Sequence, residues 1–519
     1  MRFLEWLVGP EAAGEGKTTH LLPRWIFLRA LGLIYFSAFY SFLFQIKGLI
    51  GSQGIFPVSQ YLPAVKQYYP GIKAIWYAPT LLWFGSSDRA LLIVCWLGIA
   101  ASVAVVFNLW PRISLLVSLT CFLSLIATTQ DFSSYQSDGM LLEAGFISLF
   151  FAPPGLRPGL GATHLPSRAS RFLLQWEWFR IYFESGVVKL LSGDYSWRHL
   201  TAMDDYYQNG PLPSWIGWYV QHLPHKFHAF TALLTLVMEL GIVFMMFLPR
   251  RVRIICFFIV TPFQIGIILT ANYTFLNYLV LALGFLLLDD GFLRPALPQR
   301  WREPAKTEES AIQTPGRWQA WLLPMRRMTA GICLWWILYA TTALMIAIFP
   351  RRDVLPDGPV RLLEPFRIAN QYGLFANMTH ERYEIEFQGS NDGVTWTPYP
   401  FRYKPQNIYR APGIYAPYQP RFEWNLWFAS LESVRQYPWV VDAEVRLLAN
   451  SRQVLSLFAH NPFPNGPPQK VRAVIYQYWF TDMETKRKTG AWWRRELLGL
   501  YAPQLERTPE GKIVVSGSE

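Results

Sequence analysis

Cysteine is nearly missing from this sequence: there are four among 519 residues, Cys95, Cys121, Cys256 and Cys333, each inside an apolar segment, with none in the C-terminal third. That scarcity excludes a disulfide-stapled fold and leaves no CxxC redox pair. Charge is also sparse, at 16% of residues. The formal charge of +12 is not gathered into basic runs interleaved with aromatics, so no nucleic-acid partner is implied. Gly-rich phosphate loops, HExxH and GxSxG are absent, which removes the common signatures of nucleotide, zinc-protease and serine-hydrolase chemistry. No internal repeat is visible. The opening MRFLEWLVGPEAAGEGKTTH breaks its apolar run early and carries acids. A cleavable signal peptide is therefore not expected, and the first long apolar segment is expected to stay as an uncleaved signal anchor.

Apolar and aromatic side chains, in contrast, are abundant, at 52% and 17%, and mean hydropathy is positive. This is the composition of a polytopic membrane protein with the lipid bilayer as its first partner. Hydrophobic windows fall near Trp25–Gln45, Ala90–Phe107, Ile113–Ala127, Gly139–Phe151, Phe172–Leu191, Phe230–Leu248, Ile254–Thr270, Tyr273–Leu288 and Thr329–Phe349. They predict an all-α membrane bundle of about nine transmembrane helices, since roughly 20 apolar residues cross a bilayer. Arg112, Arg157, Arg168, Arg250, Arg251, Arg253 and the group Arg294, Arg300, Arg302, Lys306, Arg317, Arg326 and Arg327 occupy alternate loops. Those loops are expected to be cytoplasmic, together with the N-terminus.

Nine spans from an inside start place everything after Pro350 outside. The expected division is residues 1–350 as the transmembrane domain and 351–519 as an exoplasmic soluble domain. The short loops point to a bacterial inner membrane; in a eukaryote the same topology belongs to the ER. The outer stretch Gly51–Asp88, with WYAPTLLWF, is expected to lie on the membrane surface, and LPQRWREPAKTEESAIQTPGR reads as a linker. In the soluble domain, RYEIEFQGSNDGVTWTPYPF predicts a β-hairpin turning at Asn391-Asp392-Gly393, and VRAVIYQYWFTD a second strand. PRFEWNLWFASL and AWWRRELLGLY look helical, giving a β-rich α+β domain.

Ionisable residues inside apolar segments need a partner, a wet cavity or a role. Here they are Glu143, Glu177, Arg180, Glu184, Lys189 and Glu239. Glu177, Arg180 and Glu184 share one helix face, so Arg180 can pair with either carboxylate. Lys189 is offset by about 120° from Glu177 at 100° per residue; it can snorkel, pair with Asp194, or act as a desolvated base. In the outer loop TTQDFSSYQSD, Asp131 and Asp138 form an acidic mouth or, for Asp138, a helix cap. His222, His225 and His228 have a spacing that suggests metal, but Pro224 interrupts the helix and no carboxylate adjoins; no metal site is expected.

Two stretches, YRAPGIYAPYQPRFEWNLWFASL and RIYFESGVVKLLSGDYSWRHLTAMDDYYQNGPLPSWIGWYVQHLP, resemble the lipase maturation factor family. The resemblance runs from about Gly51 to Leu500. It implies a multispan protein with an exoplasmic C-terminal domain, which in eukaryotic members assists folding and assembly of dimeric lipases. The family's soluble-domain signature falls on Tyr403, Lys404, Pro405, Pro417, Pro420, Arg421, Trp424, Trp427 and Phe428. Tyr418, Glu423 and Asp205-Tyr206-Tyr207 depart from it. A remoter resemblance joins GVVKLLSGDYSW and GSQGIFPVSQYL to the vitamin K-dependent γ-carboxylase family, where a lysine matching Lys189 deprotonates reduced vitamin K.

Two functions follow as expectations. One is a maturation factor, chaperone-like, holding a secreted client protein such as a lipase, with Asp131, Gln136, Asp138, Asp194, Trp197, His222, Lys404, Arg421, Trp424 and Trp427 as binding candidates. The other is a membrane enzyme acting on a quinone, lipid or lipid-linked substrate, with Lys189 as base, Glu143 or Glu239 lining the site, and reduced quinone as its cofactor. The first implies no cofactor.

Overall fold

The computed structural model describes residues 19–133, 135–296 and 317–516. The opening segment, the positions of Arg300, Arg302 and Lys306, and the expected linker as far as Gly316 lie outside the described residues. Helices occupy all nine apolar windows and two of the segments between them: α1 Leu21–Ile50, α2 Val58–Tyr68, α3 Asp88–Val106, α4 Pro111–Ile126, α5 Gln136–Phe151, α6 Arg168–Leu191, α7 Trp215–Gln221, α8 His225–Leu240, α9 Arg250–Thr270, α10 Leu276–Gly284 and α11 Arg317–Ala347.

Five of these segments are long and apolar enough to cross a bilayer, α1, α3, α8 with its following turn, α9 and Met325–Ala347, or six if the bent pair Leu276–Leu287 and Asp290–Ala296 is one span. That is fewer than the nine windows, for two physical reasons. Helices α4 and α5 have only 16 residues each, about 24 Å of rise at 1.5 Å per residue. Helix α6 carries Glu177, Arg180, Glu184 and Lys189.

Neighbours in sequence pack in space: α1 on α3, α3 on α4, α4 on α5, α5 on α6, and α6 on α8. The approach of α1 to α3 depends on Gly98, whose missing side chain is the space filled by the Phe39 ring. Large apolar side chains remain exposed on α8 and α9, among them Phe230, Leu233, Ile255 and Phe258. The stretch 51–88 forms α2, the short helix Ile72–Tyr77 and the 3-10 turn Leu81–Phe84, which leave Tyr68, Ile72 and Phe84 largely exposed.

The C-terminal part is a six-stranded antiparallel sheet with two helices on it. Its strands are β1 Arg382–Ser390, β2 Thr397–Pro398, β3 Lys470–Phe480, β4 Trp493–Leu500, β5 Leu505–Arg507 and β6 Ile513–Val515, ordered β2-β1-β3-β5-β6 with β4 also on β3. The predicted hairpin and second strand are β1–β2 and β3, paired from Arg382↔Tyr478 to Ser390↔Lys470. Helix α12 Arg421–Ser430 packs on β1 and α13 Trp439–Leu448 on β3, enclosing Phe387, Phe422, Trp439 and Phe458.

AWWRRELLGLY is not a helix as expected; most of it is β4, pairing with β3 from Val474↔Leu500 to Phe480↔Trp493. The reason is tertiary: Trp493 lies against Phe480, Arg494 against Trp479 and Arg495 against Tyr476, and such cross-strand pairs override local propensity.

Candidate functional site

The charged residues of the bundle converge on the segment between α11 and β1, which enters it from the C-terminal side. Arg180 pairs with Glu143 of α5 and stands 3.7 Å from Glu184. Its other nitrogen donates to the Asn370 carbonyl at 2.7 Å. Glu143 also accepts from the Asn370 amide and the Tyr372 hydroxyl, both at 3.0 Å, and Glu184 accepts from the Tyr372 amide at 2.6 Å. Gln136 accepts from the Gly373 amide at 3.1 Å. Glu177 is fully buried beside this network. Of the two carboxylates expected beside Arg180, Glu184 is near it and Glu177 forms no ion pair with it; the main partner is Glu143 on another helix. Tyr372, only 1% exposed, was not foreseen, because its partners lie about 190 to 230 positions away in sequence.

Lys189 does not pair with Asp194. Its ammonium donates to Glu239 of α8 at 2.8 Å and to the Leu374 carbonyl at 3.0 Å, and sits 5.0 Å from the centre of the Trp197 ring. Asp194 instead caps the next short helix, accepting from the Ser196 amide at 2.8 Å and the Met378 amide at 2.6 Å. Burial opposes its ionisation, but these bonds outweigh it and hold the carboxyl below its usual range. Lys189, Glu239 and Trp197 line a cavity of about 470 Å³ bounded by α6, α8, α9 and α10. Glu143 does not line it.

Asp138 and Arg421 join the two parts of the chain. The guanidinium grips both carboxylate oxygens at 2.7 and 2.8 Å, donates to the Phe132 carbonyl at 2.9 Å, and stacks 4.0 Å from the Phe42 ring centre. Asp138 is therefore not the expected cap: α5 begins two residues earlier, at Gln136. Arg421 is fully buried, so it joins the two parts rather than presenting an exposed contact.

The remaining candidates are buried or half-buried. Lys404 pairs with Glu384 at 2.8 Å and donates to the Ile385 carbonyl. Trp424 packs against Tyr135 and Tyr273, and Trp427 is half-buried against Phe428. Glu423 accepts three successive amides, of Arg402, Tyr403 and Lys404, at 2.7 to 2.9 Å; burial outweighs them and raises its pKa. Asp131 is half-buried, which raises its pKa. The histidines diverge. His222 contacts the Trp218 and Thr481 carbonyls, His225 pairs with Asp204, and His228 packs against Tyr207. Among the described residues no group of His, Cys, Asp or Glu converges as a metal set. Asn272 spends its amide on Leu212, Pro213, Gly413, Tyr415 and Ala416.

Both parts of this architecture match one family. Residues 22–295 match the lipase maturation factor transmembrane domain, and residues 368–503 the lipase maturation factor C-terminal domain. The chain belongs to the lipase maturation factor family. It is 32% identical to lipase maturation factor 1 of Mus musculus over 94% of this chain and 88% of that protein. It is 31% identical to lipase maturation factor 2 of Gallus gallus, over 93% and 81%. No solved structure matches it. Family and apolar helices together make it an integral membrane protein.

Proposed function

We propose that this member of the lipase maturation factor family is a membrane-anchored, chaperone-like factor that assists folding or assembly of a secreted lipase. The observation that carries this reading is the match of both family domains along the chain, to relatives named for lipase maturation. In this proposal the boundary lies near residue 350, all nine apolar windows count as spans, and residues 351–519 face the exoplasm. Charged α6 is compatible with that count because Glu177, Arg180, Glu184 and Lys189 are buried inside the bundle rather than exposed to lipid.

The client surface we favour is the edge of β4 at residues 497–500, beyond Trp493, whose amide donates to the Ile408 carbonyl. Leu497, Leu498 and Leu500 are each about half exposed there, and β4 pairs only with β3 among the described residues. An unpaired apolar edge can take up an extended segment of an unfolded chain. The experiment is co-expression of a dimeric lipase with and without this protein, reading active lipase per lipase polypeptide. A rise in specific activity is expected; equal specific activity in both would overturn the proposal.

A further inference from the structure

The cavity beside Lys189 carries an inference independent of any lipase client. Its size, about 470 Å³, lies in the range of small-molecule pockets, about 300–1,000 Å³. Its walls are mostly apolar, from Ile181, Met203, Leu234, Met238, Phe263 and Phe375.

The polar end is unusual. Lys189 is neutralised by one oxygen of Glu239, so a charged headgroup has no counter-charge to meet. The other Glu239 oxygen, on a residue only 7% exposed, accepts no hydrogen bond. A buried carboxylate oxygen left without a donor costs free energy, which a ligand donating a hydrogen bond to it would relieve.

The way in is lateral. Helices α8 and α9 are held together through the turn Ile242–Phe247, which packs on both, rather than by packing along their length. Pro262 and Gly266 of α9 line the cavity and are exposed, beside the exposed apolar side chains of Phe258, Ile265 and Leu269.

We infer that this cavity binds an uncharged amphiphile from the bilayer, with a hydrocarbon body between α6, α8 and α9 and a single hydroxyl donating to Glu239. A neutral glyceride, an isoprenoid alcohol and a hydroquinone share that chemistry.

The test uses the full chain in nanodiscs and a diazirine-bearing hexadecanol, with its methyl ether and the matching carboxylic acid as comparators. The alcohol is expected to crosslink to α6, α8 and α9. Ether and acid should label about tenfold less, the loss expected for one charge-assisted hydrogen bond. Gly266→Leu, where an added Cβ meets open space, and Thr235→Phe should both reduce labelling by filling the cavity. The double variant Lys189→Met, Glu239→Leu should keep ether labelling and abolish the preference for the alcohol. Competition by dioleoylglycerol, farnesol or decyl hydroquinone then identifies the source. Equal labelling by alcohol and ether, labelling unmoved by both filling variants, or displacement by none of the competitors would overturn the inference.

Discussion

Arg421 and Asp138 have no exposed surface at all, which makes each dependent on the other. Removing one partner of a buried, hydrogen-bonded ion pair typically costs about 3–5 kcal/mol, whereas replacing both with apolar groups costs far less. Asp138→Asn is therefore expected to lower the unfolding midpoint in detergent by several degrees, and Asp138→Leu combined with Arg421→Met to recover much of the loss. Equal midpoints for the single and double variants would show that the pair does not hold the two parts together. Glu444 offers a second residue-level case. Burial on α13 pushes its carboxyl up to about 9, despite the nearby Ala473 amide. Since the folded pKa exceeds the unfolded value of about 4.3, folding takes up a proton, and stability falls as pH rises between these two values. Glu444→Gln should stabilise the protein most at pH 9 and hardly at pH 4, measured as the difference in midpoint across that range.

At the scale of elements, the legible parts of the sequence were those governed by local pattern. The long apolar runs became helices, and the alternation of Tyr383, Ile385 and Phe387 with Arg382, Glu384 and Glu386 became β1. What the alternation hid is that both faces are buried: Arg382 reaches the Gln208 and Gly210 carbonyls, Glu384 meets Lys404, and Glu386 meets Arg495. A polar face looks solvated in sequence because its partners lie far along the chain. The same blindness made β4 look helical. Its exposed leucines give a separable expectation: Leu498→Lys should weaken capture of an unfolded lipase by the full chain while leaving its unfolding midpoint unchanged, since the side chain is half exposed and surface changes are usually within about 0.5 kcal/mol. Intact capture by Leu498→Lys and by Leu500→Lys would remove β4 as the client edge.

For the whole molecule, the composition and the loop charges indicate a membrane protein and predict an orientation, but neither reveals that the C-terminal part threads Tyr372 and Asn370 back among α5 and α6. Orientation is tested with single cysteines in a background lacking the four native ones. A cysteine at Asp392, in the exposed β1–β2 turn, should react with an impermeant maleimide in intact cells, and one at Arg157 only after permeabilisation. The reverse pattern would invert the proposed topology. The Arg421–Asp138 joint also has a temporal side. Asp138 is synthesised 283 residues before its partner, so at about 5–20 residues per second it waits roughly 15–60 s in the membrane without its guanidinium. Throughout that interval Asp138 lacks the Arg421 guanidinium, and a chain that stops before Arg421 never gains it, so the joint between the two parts closes only after the C-terminal part has been made.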